Sequence, residues 1–315
     1  MSLIERAIAK FKAEGPADPE LAPPTSAVTA ARETRGQAAP VRIAPAPVES
    51  PLTPLRADAP DSEATAPLRL GTAFEISREL LEANNFATPN GATTRIAQEF
   101  RQIKRSLVNN ALGRSAAPVP HARRIMVTSA RAGEGKTFCA INLAISIAAE
   151  RDLKVLLIDG DVARPSVFSR LGLVAGPGLV DWLQGDTDAP DGLVHPTDIP
   201  GLSLMSQGTV SAYATELLSS TIAEQRLACL DRLLKDHILV FDSSPLLLTT
   251  ESVALSHHMG QIVMVVEANN TTRRMVEDAG NLLTGHQAIG YVLNKQSDEG
   301  RAAAYDYGRY GYRAA

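Results

Sequence analysis

Beyond Pro120 the chain settles into short runs of β-branched and aliphatic residues, alternating with longer segments whose apolar positions recur every three to four residues. The runs RIMVTS (124–129), VLLID (155–159), LSLMS (202–206), ILVFD (238–242), IVMVVE (262–267) and IGYVLN (289–294) predict strands. The intervening stretches 135–150, 178–184, 214–236, 251–257 and 271–284 predict helices. Strands that are apolar on both sides and separated by helices imply an α/β fold, a mostly parallel central sheet flanked by helices on both faces. Such sheets bind ligands at the carboxyl ends of their strands. Upstream, 75–86 and 93–113 also pattern as helices, and Leu3, Ile4, Ala7, Ile8 and Phe11 share one face of a short amphipathic helix over 1–14.

Composition divides the chain further. Of its 20 prolines, 11 fall between Pro16 and Pro67, and this Pro/Ala-rich stretch offers few large side chains to offset the entropy of ordering it. The resulting division is a helix at 1–14, a disordered linker at 15–70, a helical segment at 71–118, an α/β domain at 119–300 and a tyrosine-rich tail at 301–315. A net charge of -4 with both signs interspersed argues against a nucleic-acid-binding surface. Cys139 and Cys229 lack the spacing of a metal site or a disulfide framework, which fits a reducing cytoplasm. No stretch of about 18 apolar residues predicts a direct membrane span, so membrane association must be borrowed from a partner. The adjacent His257 and His258 point to different helix faces, and Trp182 reads as a core residue.

The chemistry concentrates after the first predicted strand. Ser129 to Thr137, SARAGEGKT, match the P-loop pattern with Ala130 at the first glycine position. Its glycines let backbone N–H groups turn inward around phosphates, a helix N-terminus adds positive potential, Lys136 neutralises β/γ oxygens, and Thr137 offers a hydroxyl to Mg²⁺. Nucleotide contacts are expected from Ala132, Gly133, Glu134, Gly135, Lys136, Thr137 and Phe138. Asp159 and Asp161 end the second strand in LLIDGDVARP and Asp242 ends ILVFDSSP, so three carboxylates converge on the edge that carries Lys136. ATP and Mg²⁺ are the implied ligands.

Four of the six tyrosines, Tyr305, Tyr307, Tyr310 and Tyr312, crowd the last 11 residues. Gly308, Gly311 and the small and charged residues among them oppose a packed element, which leaves the hydroxyls accessible and able to reach a neighbouring subunit.

Together, the P-loop, Asp159-x-Asp161, ILVFD with Pro245, MSLIERA, AQEFRQIKR at 97–105, the ATELL segment and the tyrosine tail resemble the bacterial tyrosine kinases encoded with exopolysaccharide and exosortase loci. The resemblance covers 1–14 and 95–315 and implies a cytoplasmic protein-tyrosine autokinase acting on its own tail. It implies catalytic roles for Lys136, Asp159, Asp161 and Asp242. Thr137, Asp159 and Asp242 would serve the metal, and Asp161 would help to deprotonate the tyrosine. It further implies a homo-oligomer held through Gln98, Arg101 and Lys104, a membrane adaptor of the polysaccharide chain-length-regulator family at the inner face of the inner membrane, and a cognate phosphotyrosine phosphatase. The sequence departs from the family pattern at Ala163, with the arginine standing at Arg164, at Ala132 in place of a proline, and at Gln98 and Lys104 in the assembly helix. Partition and division-site ATPases of the ParA/MinD type share the sheet and the aspartate pair, and they carry a signature lysine where Arg131 stands. That class remains the alternative.

Overall fold

The computed structural model of the protein describes residues 67–88, 94–185 and 189–296. The proposed helix at 1–14, residues 15–66 of the linker and the four tail tyrosines lie outside the described residues.

Six parallel strands and one antiparallel edge strand form a sheet of order β3-β4-β2-β5-β1-β6-β7. The strands are β1 Arg124–Ser129, β2 Lys154–Gly160, β3 His195–Pro196, β4 Leu202–Met205, β5 His237–Ser243, β6 Gln261–Glu267 and β7 Ile289–Asn294. Alternate residues of the central strands enter different cores. Ile125, Val127, Leu157 and Val240 pack on one face, and Met126, Leu156, Ile158 and Phe241 on the other. Both faces are therefore covered, which is why these strands lack the polar alternation of a half-exposed sheet.

The helices are α1 Arg78–Ala83, α2 Arg95–Ala111, α3 Lys136–Ala148, α4 Val167–Arg170, α5 Leu179–Gln184, α6 Ala214–Leu218, α7 Thr221–Leu233, α8 Thr250–Ser256 and α9 Arg273–Asn281. The predicted 214–236 helix is two helices. Ser220 interrupts it because its hydroxyl accepts the N–H of Ala223 and caps α7. The pair β3 and the single turn α4 are too short to show in a hydrophobic pattern.

Described residues of the expected 71–118 segment pack onto the sheet domain. Ile76, Leu81, Phe86, Phe100 and Leu107 share one core with β1, β2 and α3. Part of the expected linker is also fixed: Arg69 accepts the Gly192 N–H at 2.8 Å, and Leu68 packs on the second core. Among the described residues no helix is long and apolar enough to cross a membrane.

Lys104 departs from its expected place. On α2 the buried face runs through Ala97, Phe100, Lys104 and Leu107, while Gln98, Arg101 and Arg105 are exposed. Two three-residue steps from Gln98 rotate by about 600°, which carries position 104 away from the outer face. The Lys104 ammonium instead donates to the Ser146 carbonyl and pairs with Glu150 at 2.9 Å, closing the carboxyl end of α3. Lys104→Ala is expected to lower stability by about 1–3 kcal/mol, because the buried carbonyl loses a charged donor. Chemical denaturation should show this loss with ATP affinity little changed; a loss confined to self-association would return Lys104 to the assembly surface.

Candidate active site

Strand β1 ends at Ser129, and the chain turns back over the sheet edge into α3 through two left-handed glycines, Gly133 (φ 88°) and Gly135 (φ 97°). Gly135 is needed there for its φ, and a Cβ in its place would also push against the Asn294 amide. No side chain caps the start of α3. Its first N–H groups and positive end are thus left for an anion, the usual means by which a P-loop holds phosphate.

Parallel register brings the carboxylates together. Asp159 on β2 is the direct partner of Asp242 on β5, and Asp242 is in register with Val127 on β1. The Lys136 ammonium lies 2.8 Å from Asp161 Oδ2, with both side chains largely buried. Asp161 Oδ1 accepts from Ser244 Oγ at 2.6 Å and from the Arg164 N–H at 2.9 Å. Asp159 Oδ2 accepts the N–H groups of Ser166 and Val167, each at 3.0 Å. Asp159 therefore shapes the loop that carries Asp161 and Ser166, and only its spare lone pairs remain for a metal-bound water.

Asp242 is fully buried and neither oxygen has a hydrogen-bond partner. Desolvation pushes its pKa up to about 7 against the pull of Lys136; the Thr137 hydroxyl lies near enough to favour the charged form without completing a well-aligned hydrogen bond. Asp159 is raised to about 6, again mainly by burial, with its backbone hydrogen bonds opposing the shift. Thr137 and Ser166 meet hydroxyl to hydroxyl at 3.1 Å. An orphaned carboxylate beside paired hydroxyls is a set of hard oxygen donors, and it fits Mg²⁺. Among the described residues no three His, Cys, Asp or Glu side chains are gathered to hold a metal unaided.

The expected nucleotide contacts divide by position. Ala132 and Gly133 are exposed on the loop crest. The Glu134 side chain is buried beneath the loop, where its Oε2 accepts the Arg131 N–H at 2.7 Å. The Phe138 side chain leaves the site to stack on Phe86 (centroids 5.5 Å apart) and to meet Phe100 edge-on, so only its backbone can face a phosphate. Ser166, Ser244, Thr271 and Asn294 belong to the site although sequence reasoning passed over them. Ser166 directly follows LLIDGDVARP and Ser244 lies within ILVFDSSP, whereas the last two meet the loop from far along the chain. Arg131 and Arg164 are both exposed at the same edge, and Trp182 is buried as expected. A cleft of about 350 Å³, lined in part by Arg151, Lys154, Lys235 and His237, opens at the opposite, amino edge of the sheet and takes no part in this site.

A P-loop after a parallel strand, with an acidic pair on the adjoining strand ends, is the architecture of a nucleotide-binding protein. Residues 125–306 match the family described as CbiA, the CobQ/CobB/MinD/ParA nucleotide binding domain. The chain is 32% identical over 194 residues to tyrosine-protein kinase CpsD of Streptococcus agalactiae, covering 60% of this chain and 82% of that protein. In structure it resembles the BceF tyrosine kinase domain (TM-score 0.53, 25% identity, 71% of this chain and 93% of that one). It also resembles the chimerical protein CapA2B2 (TM-score 0.58, 25% identity, 73% and 96%). The chain belongs to the CobQ/CobB/MinD/ParA nucleotide-binding family and, within it, to the bacterial protein-tyrosine kinases. The partition-ATPase alternative reduces to a distant relationship.

Proposed function

We propose that this kinase uses Mg-ATP to phosphorylate the C-terminal cluster Tyr305, Tyr307, Tyr310 and Tyr312, and that the reaction regulates exopolysaccharide synthesis, chain length or export. The observation that carries the reading is the Lys136–Asp161 pair, 2.8 Å apart at the carboxyl edge of the sheet, in a chain whose last 11 residues hold four tyrosines. A tyrosine hydroxyl has a pKa near 10 and needs a base to attack at neutral pH. When Lys136 moves to the β/γ oxygens it releases Asp161, which is then free to accept the phenolic proton. The tyrosine oxygen bonds to the γ-phosphorus as the bond to the β–γ bridging oxygen breaks, leaving ADP. Thr137 and Asp242 would hold Mg²⁺, directly or through water, with Asp159 behind them. The metal would offset charge on the phosphate oxygens.

Within this reading the acceptor tyrosine comes from a neighbouring copy, and the exposed Gln98, Arg101 and Arg105 face of α2 serves assembly. An adaptor of the chain-length-regulator family holds the kinase at the inner membrane. Each phosphate adds about -1.5 to -2 charges, so a multiply phosphorylated tail is repelled from the acidic site until a phosphatase resets it.

Incubation of the whole chain with labelled ATP and Mg²⁺, followed by phosphosite mapping, tests the proposal. Phosphate is expected on the terminal cluster. Labelling chiefly at Tyr213 or Tyr291, or ATP hydrolysis without phosphotyrosine, would overturn it.

A further inference from the structure

A buried carboxylate two residues from the phosphate-binding lysine is an odd choice for a site whose ligand is a polyanion. Glu134 lies on the loop between its two left-handed glycines, yet it is only 1% exposed, and among the described residues no cation pairs with it. Every hydrogen bond it makes is to the loop or to the strand ends behind it. Its Oε2 accepts the Arg131 N–H at 2.7 Å, its Oε1 accepts the Thr271 hydroxyl, and its backbone carbonyl accepts Asn294 Nδ2 at 2.9 Å. The Thr271 hydroxyl accepts the Glu267 N–H at 3.2 Å and gives its own proton to the Glu134 carboxylate, which can only accept. Thr271 follows β6, and Asn294 is the last residue of β7.

Two glycines with φ near 90° give the loop many alternative conformations, and converging its N–H groups on phosphates would cost that freedom at each binding event. Fixing the loop beforehand removes the cost. We propose that Glu134 is a positioning residue. Its carboxylate, gripped by Thr271, holds the Arg131–Gly135 backbone in the shape that receives the nucleotide phosphates, so the ends of β6 and β7 are part of the nucleotide site. The inference rests on the Mg-ATP reading and adds to it the device that preorganises the cradle.

The test is Mg-ATP affinity of the full chain, measured by displacement of a fluorescent ATP analogue, together with KM and kcat. Thr271→Val should weaken ATP binding about tenfold, as for loss of one hydrogen bond to a charged group, and Glu134→Ala, which also frees the Arg131 N–H, at least as much. The effect should fall on KM more than on kcat. The double variant should be within about twofold of the weaker single one, because both changes break the same link. Thr271→Ser keeps the hydroxyl and should restore binding to within about twofold. A merely structural contact would lower the melting temperature of the nucleotide-free protein as well; a positioning contact should leave that value nearly unchanged and reduce the upward shift produced by Mg-ATP. Normal binding by Thr271→Val, or independent losses that multiply in the double variant, would overturn the clamp. If Glu134→Ala does not fold, the Thr271→Val and Thr271→Ser pair decides alone. Failure of the unaltered protein to bind Mg-ATP would remove the nucleotide reading itself, whereas normal binding with indifferent variants removes only the clamp.

Discussion

Lys136→Met should abolish the hold on the β/γ-phosphates and lower phosphotyrosine formation about 10²- to 10³-fold, the size seen when a preorganised charge-stabilising group is removed from a transition state. Methionine fills similar space, so packing survives while the charge is lost. The effect exceeds that of an ordinary surface lysine because Lys136 is the only cation paired with the acidic cluster among the described residues, through Asp161 at 2.8 Å. Without it a polyphosphate meets Asp159, Asp161 and Asp242 with no side-chain cation paired to them among the described residues. Equilibrium ATP binding and phosphotyrosine immunoblotting measure the two losses. Wild-type phosphorylation in this variant would show that the loop is not the phosphate site.

Asp242→Asn should do two opposite things: remove most kinase activity, about 10²-fold or more, and raise the stability of the nucleotide-free protein above neutral pH. Burial lifts the Asp242 pKa to about 7, and that of Asp159 to about 6, from unfolded values near 3.9. A carboxyl raised in this way binds its proton more tightly in the folded chain, so the folded state is favoured at low pH and loses ground as pH climbs from about 4 through about 7. At pH 8 the penalty is complete. Removing the ionisable group should therefore raise the melting temperature by several degrees at pH 8, by less at pH 5, and flatten the profile between them. Mg-ATP should stabilise the wild type at pH 8 by mass action and the variant far less. For the same reason wild-type activity should fall as pH drops below about 7, as Asp242 takes up a proton. An unchanged melting profile in Asp242→Asn would mean that the carboxylate is not strained by burial.

Much of the site could be read from the chain because it is built of local motifs fused to strand ends. The patterns that predict β2 and β5 end on Asp159 and Asp242, and parallel register makes the two residues direct partners. The loop and its helix are contiguous in sequence, so spacing alone reveals them. What spacing cannot show is a partner chosen by folding. Thr271 reaches Glu134 across 137 residues and Asn294 across 160, and a threonine or asparagine at a strand end carries no distinctive signal. Lys104 misleads for another reason: a charged residue reads as surface, yet its long apolar stem crosses a buried face and delivers the ammonium to the free carbonyls at the end of α3. The break at Ser220 was hidden by apolar residues that keep helical spacing on both sides of it.

The aromatic stack behind the P-loop has a mechanical meaning. Phe100 on the inner face of α2 meets Phe138, two residues past Lys136, and Phe138 in turn lies against Phe86. One layer of rings therefore separates the outward surface of α2, with Gln98, Arg101 and Arg105, from the helix that begins at the phosphate-binding lysine. Tightly packed interiors transmit displacement with little give. A displacement imposed on that surface would therefore reach the first turn of α3 through closely packed rings rather than through solvent.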